Sequence, residues 1–306
     1  MNTIKFSKID NPTTEQHDLR LEQIQGATIF GHSFQMAVPC NLNIFITNAC
    51  PNRCDFCINK DYIGSDIADD DYTMSLLDVV REVHDLPIEI TLTGGEPTLN
   101  KKRFVDTMYL CNLVGLPCRT VSTVGTNLME DYNGLPLYQW MIMYGFTHNI
   151  NISRMAVNDD ENYCIFHNEN ITNENIATLA EIFNLNDAEM RVSCNLIPGH
   201  VDSAKKMLDF VDFYRSIGVE TIMFRELENV SDRIAIGDLS VDAGTFEYIE
   251  TMYGMLYKVD VYYYKDMVVK HYISYSTPDP RILYSMSLRN GRLCKGFGQI
   301  IKMLHY

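Results

Sequence analysis

Three cysteines stand close together at Cys50, Cys54 and Cys57, in the stretch CPNRCDFC with spacing C-x3-C-x2-C. Spacing this tight lets one loop wrap several thiolates around a compact metal centre. Three ligands on a four-iron cube leave one iron open to a small molecule, which makes such a centre a catalyst rather than a wire. The same spacing suits structural zinc with a fourth ligand such as Cys40, or a loop of thiols that bind nothing. The remaining cysteines (Cys40, Cys111, Cys118, Cys164, Cys194 and Cys294) are scattered and read as small buried hydrophobes. Nine cysteines is an odd number, and the polar start MNTIKFSKID has no apolar core of signal-peptide length. A disulfide framework is therefore not expected, and a reducing, cytoplasmic setting is.

A second cluster of suggestive residues is Gly94-Gly95-Glu96-Pro97, directly after the strand-like run IEITLT. Glycines at a strand end permit close backbone approach, and a carboxylate beside them can accept from an ammonium. By itself this is an ordinary turn. Basic residues are few. The formal net charge is −15, which repels a phosphate polyanion and argues against bulk nucleic acid as a partner. No apolar run reaches the ~20 residues of a membrane helix.

The elements that must position these residues alternate between two periods. Strand-like runs fall at 41–47, 88–93, 118–124, 148–153, 189–197 and 219–224, with helix-like spacing between them. Thr73 is placed to cap a helix carrying Leu76, Leu77, Val80 and Val83. Phe104, Met108 and Cys111 share a face of a helix that ends at Gly115 and Pro117. Further helices are expected over 136–144, around Ile176–Phe183 and around Met207–Ile217. Six βα units with short connections predict an α/β fold with parallel strands, a partial (βα)6 TIM-like barrel. The expected organisation is an N-terminal extension at 1–39, a core at 40–245 and a C-terminal extension at 246–306 that caps the barrel. That last part is predicted to open with a helix over 245–257 and to continue as strands over 259–264 and 267–273.

In a parallel barrel the cysteine loop and the glycine turn both lie at the C-terminal face. Together, in that order and on successive strands, they resemble the radical S-adenosylmethionine (SAM) superfamily. The aromatic Phe56 before the last cysteine belongs to the same pattern. The resemblance covers about residues 41–225. It implies one [4Fe-4S] cluster on Cys50, Cys54 and Cys57, with SAM on the open iron, and an oxygen-sensitive enzyme. It places Phe56 near the adenine, and Gly94, Gly95 and Glu96 at the SAM amino group, with Pro97 shaping the turn. Thr123 and Asn127, in STVGTN, match a strand end common in the family. Ser153 and Arg154 become candidates for the SAM ribose and carboxylate, with Asn195 and Leu196 as further cofactor contacts. The implied chemistry is one-electron cleavage of SAM to a 5′-deoxyadenosyl radical that abstracts hydrogen from substrate, with a flavodoxin- or ferredoxin-type protein as the electron donor.

For the substrate, the core is most similar to the branch holding the molybdenum-cofactor GTP cyclase, the viperin-like nucleotide dehydratases and the peptide-modifying maturases. It departs from each. Only Cys294 follows Cys194, so a second cluster is not expected, and the viperin-type residues around the third cysteine are replaced by Cys57-Ile-Asn-Lys60. Arg225, Arg289, Arg292 and Lys295 suggest a small anionic, nucleotide-like substrate, although each alone suits a surface ion pair. Peptide modification is the alternative reaction, and a non-catalytic Fe–S or zinc protein is the alternative of another class. Residues 288–306 are expected to cover the active site and touch substrate.

Overall fold

A computed structural model describes residues 3–7, 23–116, 118–146, 148–168, 170–227, 238–242, 245–253, 257–274 and 279–305. Much of the expected N-terminal extension (1–2 and 8–22), Pro117 and residues 254–256 lie outside them. The chain is a mixed α/β fold whose contacts divide it into two compact units. One comprises Leu19–Pro51, Ile58–Ile150 and Asp279–Tyr306. The other comprises Met1–Asp18, Asn52–Cys57 and Asn151–Pro278.

The first unit is built on the parallel strands β1 (His32–Phe45), β2 (Ile88–Thr93) and β3 (Cys118–Thr123). Strand β1 starts well before the expected Asn41, because its first half pairs antiparallel with Ile24–Ile29. Strand Ile282–Arg289 joins β1 in parallel, with Leu288 level with Ile44. Strands Arg292–Lys295 and Gln299–Met303 then return antiparallel. Side chains alternate across this sheet. Leu42, Ile44, Ile90 and Leu92 are fully buried on one face. The other face carries a polar ladder: the Thr91 hydroxyl donates to Asn41 Oδ1 at 2.9 Å, Asn41 Nδ2 to Asn43 Oδ1 at 3.1 Å, and Asn43 Nδ2 to the Met286 carbonyl at 3.1 Å.

Helices α1 (Asp69–Val83), α2 (Lys101–Leu113) and α3 (Leu137–Met143) complete this unit. Thr73 does not cap α1. The helix begins at Asp69, where Asp69, Asp70 and Asp71 place three carboxylates at its positive end. Thr73 sits one turn in and donates to the Asp69 carbonyl at 2.9 Å.

The second unit holds β4 (Ile150–Ser153), β5 (Met190–Asn195) and β6 (Thr221–Arg225), with β5 parallel to β6. Strand Met267–Ser274 continues the sheet in parallel beyond β6, and strands Tyr257–Tyr264 and Glu247–Tyr253 follow antiparallel. The predicted helix over 245–257 is thus a strand through Glu247–Tyr253. Its EYIETMY composition mixes aromatic and β-branched residues, and pairing with the next strand decides the outcome. Helices α4 (Asp159–Phe166), α5 (Asn173–Asn184) and α6 (Ala204–Ser216) begin at side-chain caps from Asn158, Thr172 and Ser203. Helix α4 was not anticipated from periodicity. On Met267–Ser274, His271 is fully buried, 3.3 Å from the Glu226 carboxylate. That spacing suits an ion pair, yet burial dominates and pushes the imidazole pKa down to about 3, so it is held neutral.

Candidate functional site

The chain leading into Cys50 is clamped by the glycine turn. After β2, the Gly95 N–H donates to the Thr47 carbonyl at 2.8 Å and the Glu96 N–H to the Ala49 carbonyl at 2.9 Å. A side chain at either glycine would collide with that backbone. A Cβ on Gly94 would sit 2.4 Å from the Thr47 carbonyl oxygen, and one on Gly95 2.2 Å from that of Ala49. The same segment is held from the other side by Asp66, which accepts from the Thr47 hydroxyl at 2.5 Å and from the Asn48 N–H at 2.7 Å. Arg103 backs this arrangement through Asp69 at 2.7 Å and the Ile67 carbonyl at 2.5 Å.

Glu96 faces inward, with 1 % of its surface exposed. Its Oε1 accepts from the Thr98 N–H at 3.1 Å, the Thr98 hydroxyl at 2.6 Å and the Thr123 hydroxyl. Its Oε2 accepts from the Val124 N–H at 2.9 Å. Burial raises its pKa, and these hydrogen bonds pull the other way. Asn127 donates to the Thr98 carbonyl at 3.2 Å, and Pro97 opens the short 3-10 turn between. Glu96, Thr123 and Asn127 lock the glycine turn to the end of β3.

The thiols of Cys50, Cys54 and Cys57 are all part-exposed. Cys40 and Cys111, by contrast, are buried and pushed up to about 12, and Cys194 is raised by the same cause. Thiolates are the metal ligands, and the part-exposed loop thiols have the access that a metal centre open to a small molecule needs. Among the described residues no three His, Cys, Asp or Glu side chains are gathered at metal-binding geometry. The fit to a cluster rests on donor type, spacing and access. Within the second unit, Phe56 packs edge-on to Phe166 with centroids 6.2 Å apart, and the Arg53 N–H donates to the Phe166 carbonyl at 3.0 Å.

Arg154 is buried and engaged by groups of its own unit. It is 1 % exposed and donates to Tyr214 at 3.0 Å, to the Ile171 carbonyl at 2.8 Å, to Asn173 at 3.1 Å and to Asp159. Leu196 is fully buried, while Ser153 and Asn195, at the ends of β4 and β5, are part-exposed. Arg225 ends β6 level with Asn195 and lies over the Tyr272 ring at 4.5 Å.

A cavity of about 230 Å³ opens beside the clamped segment. Asn48, Asp61, Tyr62 and Ser65 form one wall, and Arg289, Asn290 and Arg292 the other. Sheet register explains the second wall. Ile282–Arg289 runs parallel to β1, so Arg289 arrives beside the end of β1 and the hairpin turn carries Asn290 and Arg292 along the loop. Asn290 ties that turn to the loop, donating to the Ser65 carbonyl at 3.1 Å. The Arg289 guanidinium lies 3.8 Å over Tyr62 and 5.7 Å from Phe45. Phe297 packs edge-on to Phe45 at 6.0 Å. Lys295 is not part of this wall. It donates to the Pro280 carbonyl at 2.5 Å. Asn48, Asp61, Tyr62 and Asn290 were missed in the sequence, although TNAC and NKDY flank the cysteines directly.

A family model described as "Radical SAM superfamily" matches residues 44–214, more than half of the chain. No curated protein matches. Among solved structures, SuiB of Streptococcus suis bound to S-adenosylmethionine is 15% identical with a TM-score of 0.47, covering 63% of this chain and 40% of that one. The anSMEcpe structure with bound AdoMet and a Cp18Cys peptide is 15% identical with a TM-score of 0.40, covering 61% and 50%. The methyltransferase TsrM of Kitasatospora setae, with cobalamin and a [4Fe-4S] cluster bound, is 14% identical with a TM-score of 0.43, covering 60% and 34%. The chain spans half or less of each of these proteins, and at this likeness they say nothing of its substrate.

Proposed function

Because the chain belongs to the radical SAM superfamily, we propose that it is a SAM-cleaving enzyme whose cluster sits on Cys50, Cys54 and Cys57 and whose substrate is a small anion held by Arg289 and Arg292. Cluster and SAM together supply an organic radical able to abstract hydrogen, given an electron from a low-potential donor of flavodoxin or ferredoxin type. The chain's own residues do the rest. The glycine turn and Asp66 fix the backbone that enters Cys50, while Glu96 fixes the loop after β3. The hairpin turn at Arg289–Arg292 covers the loop that follows the third cysteine and brings positive charge to it.

One observation carries the substrate reading. Among the described residues neither Arg289 nor Arg292 has a carboxylate within salt-bridge distance, although the chain carries a net charge of −15. Two guanidinia that share a cavity wall yet pair with no carboxylate are suited to bind an anion from solution, with fork geometry for a carboxylate or phosphate. The size of the cavity favours an anion smaller than a nucleotide. The test is a screen of small anions for saturable stimulation of 5′-deoxyadenosine formation by the reconstituted enzyme. Arg289→Gln and Arg292→Gln should each raise the half-saturating concentration at least tenfold. Stimulation by a long peptide alone, or stimulation indifferent to both substitutions, contradicts the reading.

A further inference from the structure

The two arginines account for only part of the cavity's chemistry. Asp61 lies in the facing wall and, among the described residues, has no cation within salt-bridge distance. A plain anion would face Asp61 with like charge. The ligand that suits both walls carries anionic groups for the arginines and a positive charge for Asp61.

Size and charge narrow the class further. At about 230 Å³ the space is smaller than the ~300–1,000 Å³ of pockets for drug-sized ligands. It corresponds to roughly eight waters at ~30 Å³ each, the scale of one amino acid. Two guanidinia against one carboxylate leave the wall one positive charge in excess, which complements a ligand of net charge −1. Resting on the proposed anion site, the geometry points to a free acidic amino acid as the ligand of this cavity. Its two carboxylates lie on Arg289 and Arg292, and its ammonium lies on Asp61.

The test uses the anaerobically reconstituted holoenzyme and isothermal titration with L-glutamate, L-aspartate, glutarate and succinate. At least one amino acid should bind tenfold or more tightly than the diacid that lacks its ammonium. Asp61→Asn, an exposed substitution, should bring that pair to within about threefold of each other. Arg289→Gln should weaken both members. Diacids that bind as well as the amino acids would overturn this inference and leave the anion reading intact. Failure of all four to bind, or binding indifferent to Arg289→Gln, would overturn both. Displacement of the bound amino acid by SAM would assign the cavity to the cofactor instead and equally refute the proposal.

Discussion

Gly95→Ala perturbs the hinge between the two motifs. The added Cβ would stand 2.2 Å from the Ala49 carbonyl oxygen, 2.6 Å from its carbon and 2.8 Å from the Asn48 carbonyl oxygen. All three are backbone atoms, so no rotamer change can relieve the clash. Reaching an ordinary 3.4 Å contact moves the strands of backbone apart by 3.4 − 2.2, or about 1.2 Å. That shift breaks the Gly95–Thr47 and Glu96–Ala49 hydrogen bonds, each contributing ~1 kcal/mol. Overpacking adds ~1–3 kcal/mol, for a total of roughly 3–5 kcal/mol. Against a domain stability of ~5–15 kcal/mol the protein still folds, but the backbone entering Cys50 is displaced. The expected result is a lower denaturant midpoint together with iron uptake well below wild type in a variant of unchanged secondary structure. Gly26→Ala is the control, since a Cβ there meets nothing within 4 Å, and it should stay within ~0.5 kcal/mol of wild type. A Gly95→Ala protein with wild-type midpoint and iron content would refute the clamp.

Two further outcomes separate structural from ligand-binding roles. Arg154→Ala removes a buried guanidinium with four recorded partners and should cost ~3–5 kcal/mol in unfolding free energy, while the SAM affinity of the folded fraction changes less than threefold. Burial lowers the His271 pKa from its ordinary 6.5 to about 3. Its contribution is therefore intact above pH 6.5 and is lost as pH falls below it, by up to ~1.4 kcal/mol per pH unit. His271→Asn should flatten the stability–pH curve of the holoprotein between pH 6.5 and 4, and an unchanged slope counts against the buried neutral imidazole.

What the sequence disclosed follows from which signals are local. Alternating periods placed all six expected strands, because strand burial repeats over a few residues. The cysteine and glycine motifs were legible because each is contiguous. Less legible was anything set by register between distant segments. That Ile282–Arg289 lies beside β1, and so carries Arg289 to the loop after the third cysteine, depends on pairing across more than 200 positions. The inward turn of Glu96 depends on hydroxyls and an amide from β3 that no spacing announces. The contacts of Arg154 with Tyr214 and Asn173, which come from distant segments, are likewise invisible in its place after a strand end. The segment 247–253 misled because its apolar residues also fit a helical face, and only the partner strand decides between the two.

Iron, sulfide and zinc should be assayed after anaerobic reconstitution, alongside 5′-deoxyadenosine released from SAM under dithionite, in the wild type and in Cys50→Ala, Cys54→Ala and Cys57→Ala. About four irons per chain are expected, as one cubane requires, with 5′-deoxyadenosine formed by the wild type and both signals lost in each variant. Stoichiometric zinc without iron, or a four-iron protein that releases no 5′-deoxyadenosine, would contradict a SAM-cleaving cluster on these three cysteines.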